Sequence, residues 1–214
     1  MTEQQSPEWF AARRGKVTAS RIWDILRTIR NGDYSSSRRN YSAQLVTERL
    51  TGQTHERFYH NEHMEWGNEQ EPFAREEYAK KTGNPIVEVG MIEHPSIPFA
   101  GASPDGMVGD DGLVEIKCLL PANHIEMLLS ETIKDQYRFQ MIWQMACTGR
   151  QWCDFVSFDP SQPPNMQLFI KRLHRNEAEI ENVEMEVNTF LEEVDETVKR
   201  LKEKFREPSE EENW

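Results

Sequence analysis

The stretch Ser103-Pro104-Asp105-Gly106, followed by Leu113-Val114-Glu115-Ile116-Lys117-Cys118, decides how the chain is read. Its second half is a buried strand in pattern, with Leu113, Val114, Ile116 and Cys118 apolar. Glu115 and Lys117 interrupt it on one face, because alternate strand residues point the same way. A carboxylate and an ammonium inside an apolar strand are costly to bury unless something compensates them. Asp105 stands in a Pro-Asp-Gly turn that leads its strand back against Glu115. Two acids and a lysine at a sheet edge suit a hard divalent metal with a water beside it. They also suit a structural ion pair beside an ordinary turn, and the local pattern by itself favours that reading.

Outward from this stretch the elements alternate. Met107-Val108 pairs with 113–118 across a hairpin turn at 109–112, preceded by strands at 99–103 and 85–92. Upstream, 69–82 reads as a helix with Phe73, Ala74 and Tyr78 on one side. Glu71 falls near its start, where a carboxylate suits the helix dipole. Downstream, Pro121 opens a helix to about 129, and Asp135 caps a second one running to Thr148, with Gly149 as its carboxyl cap. Gln136, Gln140 and Gln144 line one edge of that helix at i, i+4 and i+8, which equally suits a solvent-facing edge. Strands at 151–158 and 166–173 follow, then a long acidic helix over 177–206 with Val183, Val187, Phe190, Leu191, Val194, Val198, Leu201 and Phe205 as its stripe.

At the other end, Ser6-Pro7-Glu8 starts a helix that stops at Gly15. Thr18 or Ser20 opens a second helix with Ile22, Ile25, Leu26 and Ile29 inward. A loop over 31–40 and a helix over 41–50 come next. His60 and His63 lack a third ligand nearby and read as surface or cap histidines. The order suits an α/β (mixed α+β) fold: a central mixed β-sheet flanked by helices, in one domain over 1–206, with 207–214 an acidic tail expected to be flexible.

Composition bounds the function. The chain has 214 residues, 37% hydrophobic with six Trp, enough for a folded core. It has no apolar run of membrane-spanning length and no signal-peptide profile at its start, and Cys118, Cys147 and Cys153 read as reduced core cysteines. A cytoplasmic protein without a membrane partner is expected. The net charge of −12 argues against coating nucleic acid. Arg13, Arg14, Lys16, Arg21, Arg27, Arg30, Arg38 and Arg39 nevertheless make the first forty residues basic, so a nucleic-acid site would be local. Nucleophile elbows and glycine-rich phosphate loops are absent.

Asp105, nine intervening residues and Glu115-Ile116-Lys117 resemble the Asp…Glu-x-Lys signature of the PD-(D/E)xK nuclease superfamily. Four ordered motifs sharpen the likeness: Trp9 to Ser20, Trp66-Gly67-Asn68-Glu69-Gln70-Glu71, Ser103-Pro104-Asp105-Gly106 and Glu115-Ile116-Lys117-Cys118 resemble the phage lambda exonuclease and viral recombinase family. The helix from Gln136 to Arg150 and the strand from Trp152 continue the same order. The resemblance implies a restriction-endonuclease-like core and a Mg²⁺-dependent enzyme, also accepting Mn²⁺, that degrades one strand of duplex DNA from its 5′ end. It implies Asp105, Glu115, Glu71 and the Ile116 carbonyl as metal ligands, and Lys117 with Gln140 at the reacting water. Arg13, Thr18, Ser20 and Ser103 would hold the 5′-phosphate, as guanidinium and hydroxyl groups do. After Glu-x-Lys-Cys the lambda enzyme places a further phosphate-binding arginine; this chain has Leu119 to His124 there, and Asn123 or His124 would have to substitute. Double-stranded DNA ends, a single-strand annealing protein and a homotrimeric ring complete the implied partners, in a bacterial host cell as a phage or prophage protein. The alternatives are another PD-(D/E)xK endonuclease, or a catalytically silent protein that binds DNA ends.

Overall fold

The computed structural model describes residues 4–55 and 62–206. His60, the side chain of His63 and the acidic tail 207–214 lie outside the described residues. The amino-terminal part holds α1 (Pro7–Arg13), β1 (Val17–Thr18), a 3-10 turn (Ala19–Arg21), α2 (Ile22–Leu26) and α3 (Ser36–Thr51). After α4 (Glu62–Thr82) come five short strands: β2 (Ile86–Val87), β3 (Ile92–Glu93), β4 (Ala100–Ala102), β5 (Gly106–Val108) and β6 (Gly112–Cys118). The chain closes with α5 (Pro121–Ser130), α6 (Asp135–Thr148), β7 (Trp152–Phe158), β8 (Leu168–His174) and α7 (Glu177–Lys204).

Strands β2, β5, β6, β7 and β8 form a mixed five-stranded sheet in that order. β6 and β7 run parallel because α5 and α6 lie between them, while the other pairs are antiparallel. A smaller sheet, β1-β4-β3, lays β1 parallel to β4. One face of the large sheet carries Leu113, Cys153 and Phe155 into the main core with α6, α7, α2 and α3. The other face carries Val114, Ile116 and Val156 beneath Ala74 and Tyr78 of α4. The expected mixed sheet flanked by helices is thus present, and strand alternation sends Glu115 and Lys117 toward α6.

Several expected boundaries move, each for a local reason. The second helix stops at Leu26: Ile29 donates its N–H to Asp33 O at 2.7 Å in a tight turn and is half exposed. α3 begins at Ser36, so the serines expected in a loop start a helix, with Ser35 at the cap. α4 begins well before residue 69 and runs through Pro72, which puts Glu71 near the middle of the helix rather than at its dipole-favoured start. Phe73 is exposed while Ala74 and Tyr78 are fully buried, so the three do not share a side. The strand expected at 85–92 splits: β2 joins β5, and β3 joins β4 in the other sheet. Lys134, not Asp135, is the cap of α6. Phe205 falls just past α7 and is exposed, outside its buried stripe.

Candidate active site

The β5–β6 hairpin places the acids. Gly106 faces Val114 in its register, so Asp105 comes opposite Glu115. A side chain at 106 would meet Ile86 Cγ2 at 2.1 Å, which explains why the residue after the acid is glycine. Asp105 Oδ2 accepts the Ile116 N–H at 2.7 Å, fixing its carboxylate to the strand that carries Glu115 and Lys117.

Glu115 has no exposed surface, and both of its oxygens are engaged. Oε1 takes the Lys117 ammonium and Gln140 Nε2 at 2.7 Å; Oε2 takes Gln144 Nε2 at 2.5 Å. Two of the three glutamines of α6 are therefore turned onto the carboxylate, Gln144 fully buried and Gln140 half-buried, while Gln136 keeps to the expected solvent-facing edge. Buried charge needs such donors to be tolerable. Burial, then the Glu115 charge, pushes the Asp105 carboxyl well above its usual range; Glu71 adds to this, and Lys117 opposes it. For Lys117 burial works against the charged form, but Glu115 and Asp105 outweigh it and hold the ammonium above the ordinary lysine value. The two acids thus favour the ammonium form of Lys117 over the neutral amine. Burial first, then Glu71 and Asp105, push the Cys118 thiol up to about 12, which favours its protonated form.

Glu71 reaches this group from α4, on the other face of the sheet, and is bound by the Arg75 guanidinium one turn further on. Among the described residues no three Asp, Glu, His or Cys side chains gather closely enough to ligate an ion together. The donor types nevertheless fit a hard divalent cation: carboxylates of Asp105, Glu115 and Glu71, with a backbone carbonyl at Ile116. Burial raises Asp105 most, and the repulsion from Glu115 and Glu71 that adds to it is what such a cation relieves.

A second cluster adjoins the acids. α1, capped by Ser6 Oγ accepting the Trp9 N–H at 3.2 Å, ends at Arg13. The chain then turns at Gly15 (φ +69°), whose N–H is gripped by Glu48 at 2.6 Å and whose carbonyl accepts from Arg49 at 2.9 Å. This turn sends β1 alongside β4, setting Thr18 opposite Gly101, two residues before Ser103. The Arg13 guanidinium lies 4.0 Å over the Trp9 ring and 3.4 Å from Thr18 Oγ1, and Trp9 Nε1 donates to Ser103 Oγ at 3.0 Å. Arg13, Thr18 and Ser103 are thereby joined two residues from Asp105. Ser20 is exposed on the following turn, outside the hydrogen bonds of this cluster among the described residues.

The suggested substitutes for the missing arginine do not behave alike. His124 is sealed in the core, with one ring nitrogen 2.6 Å from Ser157 Oγ and the other 2.8 Å from Met166 O, so it is structural. Asn123 is exposed, its side-chain oxygen 3.4 Å from Lys134 Nζ. The residue patterns did not assign Gln144, Trp9 or Arg75; their only signal was spacing, four residues from Gln140, Arg13 and Glu71 respectively.

Residues 8–151 match the YqaJ-like viral recombinase domain. Among solved structures, the alkaline exonuclease LHK-Exo of Laribacter hongkongensis is 48% identical, covering 93% of this chain and 97% of its own, with a TM-score of 0.87. The same values hold for LHK-Exo in complex with dAMP. A phage-related exonuclease of Haemophilus somnus 129PT shares the fold at 17% identity, TM-score 0.70, covering 87% of this chain and 96% of its own. No curated protein matches.

Proposed function

Because the chain belongs to the YqaJ-like viral recombinase family, we propose that it is a DNA exonuclease that degrades one strand of a duplex from the 5′ end, leaving a 3′ single strand for annealing recombination. One observation carries the reading: an acid-acid-lysine group, Asp105, Glu115 and Lys117, stands two residues along the chain from a cluster that joins the Arg13 guanidinium to the hydroxyls of Thr18 and Ser103. An end-acting nuclease needs these two parts side by side.

Asp105, Glu115, Glu71 and the Ile116 carbonyl would hold Mg²⁺ or Mn²⁺. Bound there, the cation supplies Lewis-acid polarisation of the phosphoryl group and a water of lowered pKa. Lys117, held cationic by the acids, donates to the water or to the charge developing on phosphate. Gln140 and Gln144 donate to the two oxygens of Glu115 and hold its carboxylate in place. Arg13, stacked on Trp9, binds the terminal phosphate with Thr18 and Ser103, so the first phosphodiester is the one presented for hydrolysis. A ring of three copies and an annealing protein that receives the 3′ strand belong to the same reading.

Linear duplex labelled at opposite ends, digested with Mg²⁺ and with chelator, tests it. Mg²⁺-dependent release of 5′ mononucleotides is expected, faster from phosphorylated 5′ ends, with covalently closed duplex left intact. Lys117→Ala is expected to lose at least about 10²-fold in rate while still binding DNA. Release from 3′ ends first, or cleavage of closed circles, would refute the polarity or the exonuclease reading.

A further inference from the structure

Arg75, bound to one of the proposed metal ligands, is a cation that the chemistry above does not use. It sits on α4 one turn after Glu71, with its side chain only 17% exposed. One terminal nitrogen binds Glu71 Oε1 and the other binds Glu88 Oε1 just beyond β2. Among the described residues its buried Nε has no hydrogen-bond partner. The two acids differ: Glu88 is 69% exposed and tied to no site, whereas Glu71 is close enough to Asp105 to raise it. The pair also lines a cleft of about 620 Å³ with Gln4, Asn68 and Pro72, so the Glu71 carboxylate is not locked in by packing.

We propose that Arg75 competes with the divalent cation for Glu71. Without metal, the guanidinium holds Glu71 in an ion pair, which agrees with the failure of three acids to gather at one point among the described residues. When a cation takes Glu71 as a ligand, Arg75 keeps its charge partnered through Glu88, so the exchange leaves no buried guanidinium alone. Arg75 is thus a positioning residue that sets metal affinity through Glu71, and Glu88 is its alternative partner. This inference rests on the metal-dependent reading of the site.

The test measures Mn²⁺ binding to the metal-free protein without DNA, by loss of the free-ion electron paramagnetic resonance signal, so no turnover is involved. Arg75→Gln is expected to bind Mn²⁺ about three- to tenfold more tightly, the scale of one partly buried ion pair. Glu88→Gln, which leaves Arg75 with Glu71 alone, is expected to bind it more weakly. Removing or adding charge nearby would shift affinity in the same directions by simple attraction, so each substitution is repeated on Glu71→Gln. Effects that vanish in that background support the competition, and effects of unchanged size overturn it. Should Arg75→Gln fail to fold, Glu88→Gln with and without Glu71→Gln decides alone. A wild-type protein that binds no Mn²⁺ refutes the metal site itself, which differs from a wild type that binds while the variants match it.

Discussion

Asp105 shows how much of the site is carried by single residues. Its carboxyl is pushed well above the usual range, first by burial and then by Glu115. An acid whose folded pKa lies above its unfolded one holds its proton more tightly when folded. Its contribution is therefore favourable at low pH and is lost as pH rises from about 4, the unfolded value, through the folded pKa. In chelator, Asp105→Asn should escape this loss, since its side-chain oxygen still accepts the Ile116 N–H. Urea denaturation from pH 4 to 8 is expected to give a variant that overtakes wild type as pH rises, while Mg²⁺ restores the wild type alone. Parallel stability curves would mean that Asp105 ionises without penalty. At this scale the sequence was legible wherever residue type encodes chemistry, as in Asp105, Glu115 and Lys117. Gln144 was not legible, because three glutamines spaced by four read the same on a wet edge as over a buried carboxylate. Only the sheet face chosen by Glu115 separates the two.

Between elements, the position of Glu71 depends on how α4 is pinned to the sheet. Tyr78, two turns after Glu71, is fully buried and donates to Asp154 Oδ2 of β7 at 2.8 Å. Arg172 of β8 closes on the same carboxylate at 2.7 and 2.9 Å and stacks 3.5 Å over Trp152. Tyr78→Phe removes one hydrogen bond to a buried carboxylate that stays paired with Arg172, a loss of about 1–3 kcal/mol. A lower urea midpoint with unchanged slope is expected, with amide exchange quickening in α4 but not in α6. Exchange that rises equally in both helices would show that the clamp acts on the whole core rather than on α4. The sequence pattern gives no sign of this clamp: Tyr78, Asp154 and Arg172 are far apart along the chain, and their meeting depends on sheet order. The early start of α4 was hidden for another reason, since 62–68 contains Gly67 and has no apolar stripe at helical spacing.

Across the whole molecule, a charge of −12 has to be reconciled with a DNA substrate. The basic amino-terminal part is not all available for phosphate. Arg38 and Arg49 are paired with Glu193 and Asp195 of α7, and Arg21 with Asp24. Arg27, Arg30 and Arg39 remain exposed, while α7 exposes Glu181, Glu192, Glu196 and Glu203. Part of the acidic helix thus neutralises the basic segment and anchors it, and the rest faces outward. If three copies close a ring with the exposed arginines toward its centre, the channel is positive although the particle is negative. Light scattering should then give three times the 25.1 kDa chain mass. Replacing Arg27, Arg30 and Arg39 by Gln should leave that mass unchanged and weaken binding to duplex of any sequence. The slope of log affinity against log salt should flatten by about 0.9 for each phosphate that is no longer neutralised. A variant that retains the wild-type slope would place the DNA elsewhere on the surface, leaving the Arg13 cluster as the point where the strand meets positive charge.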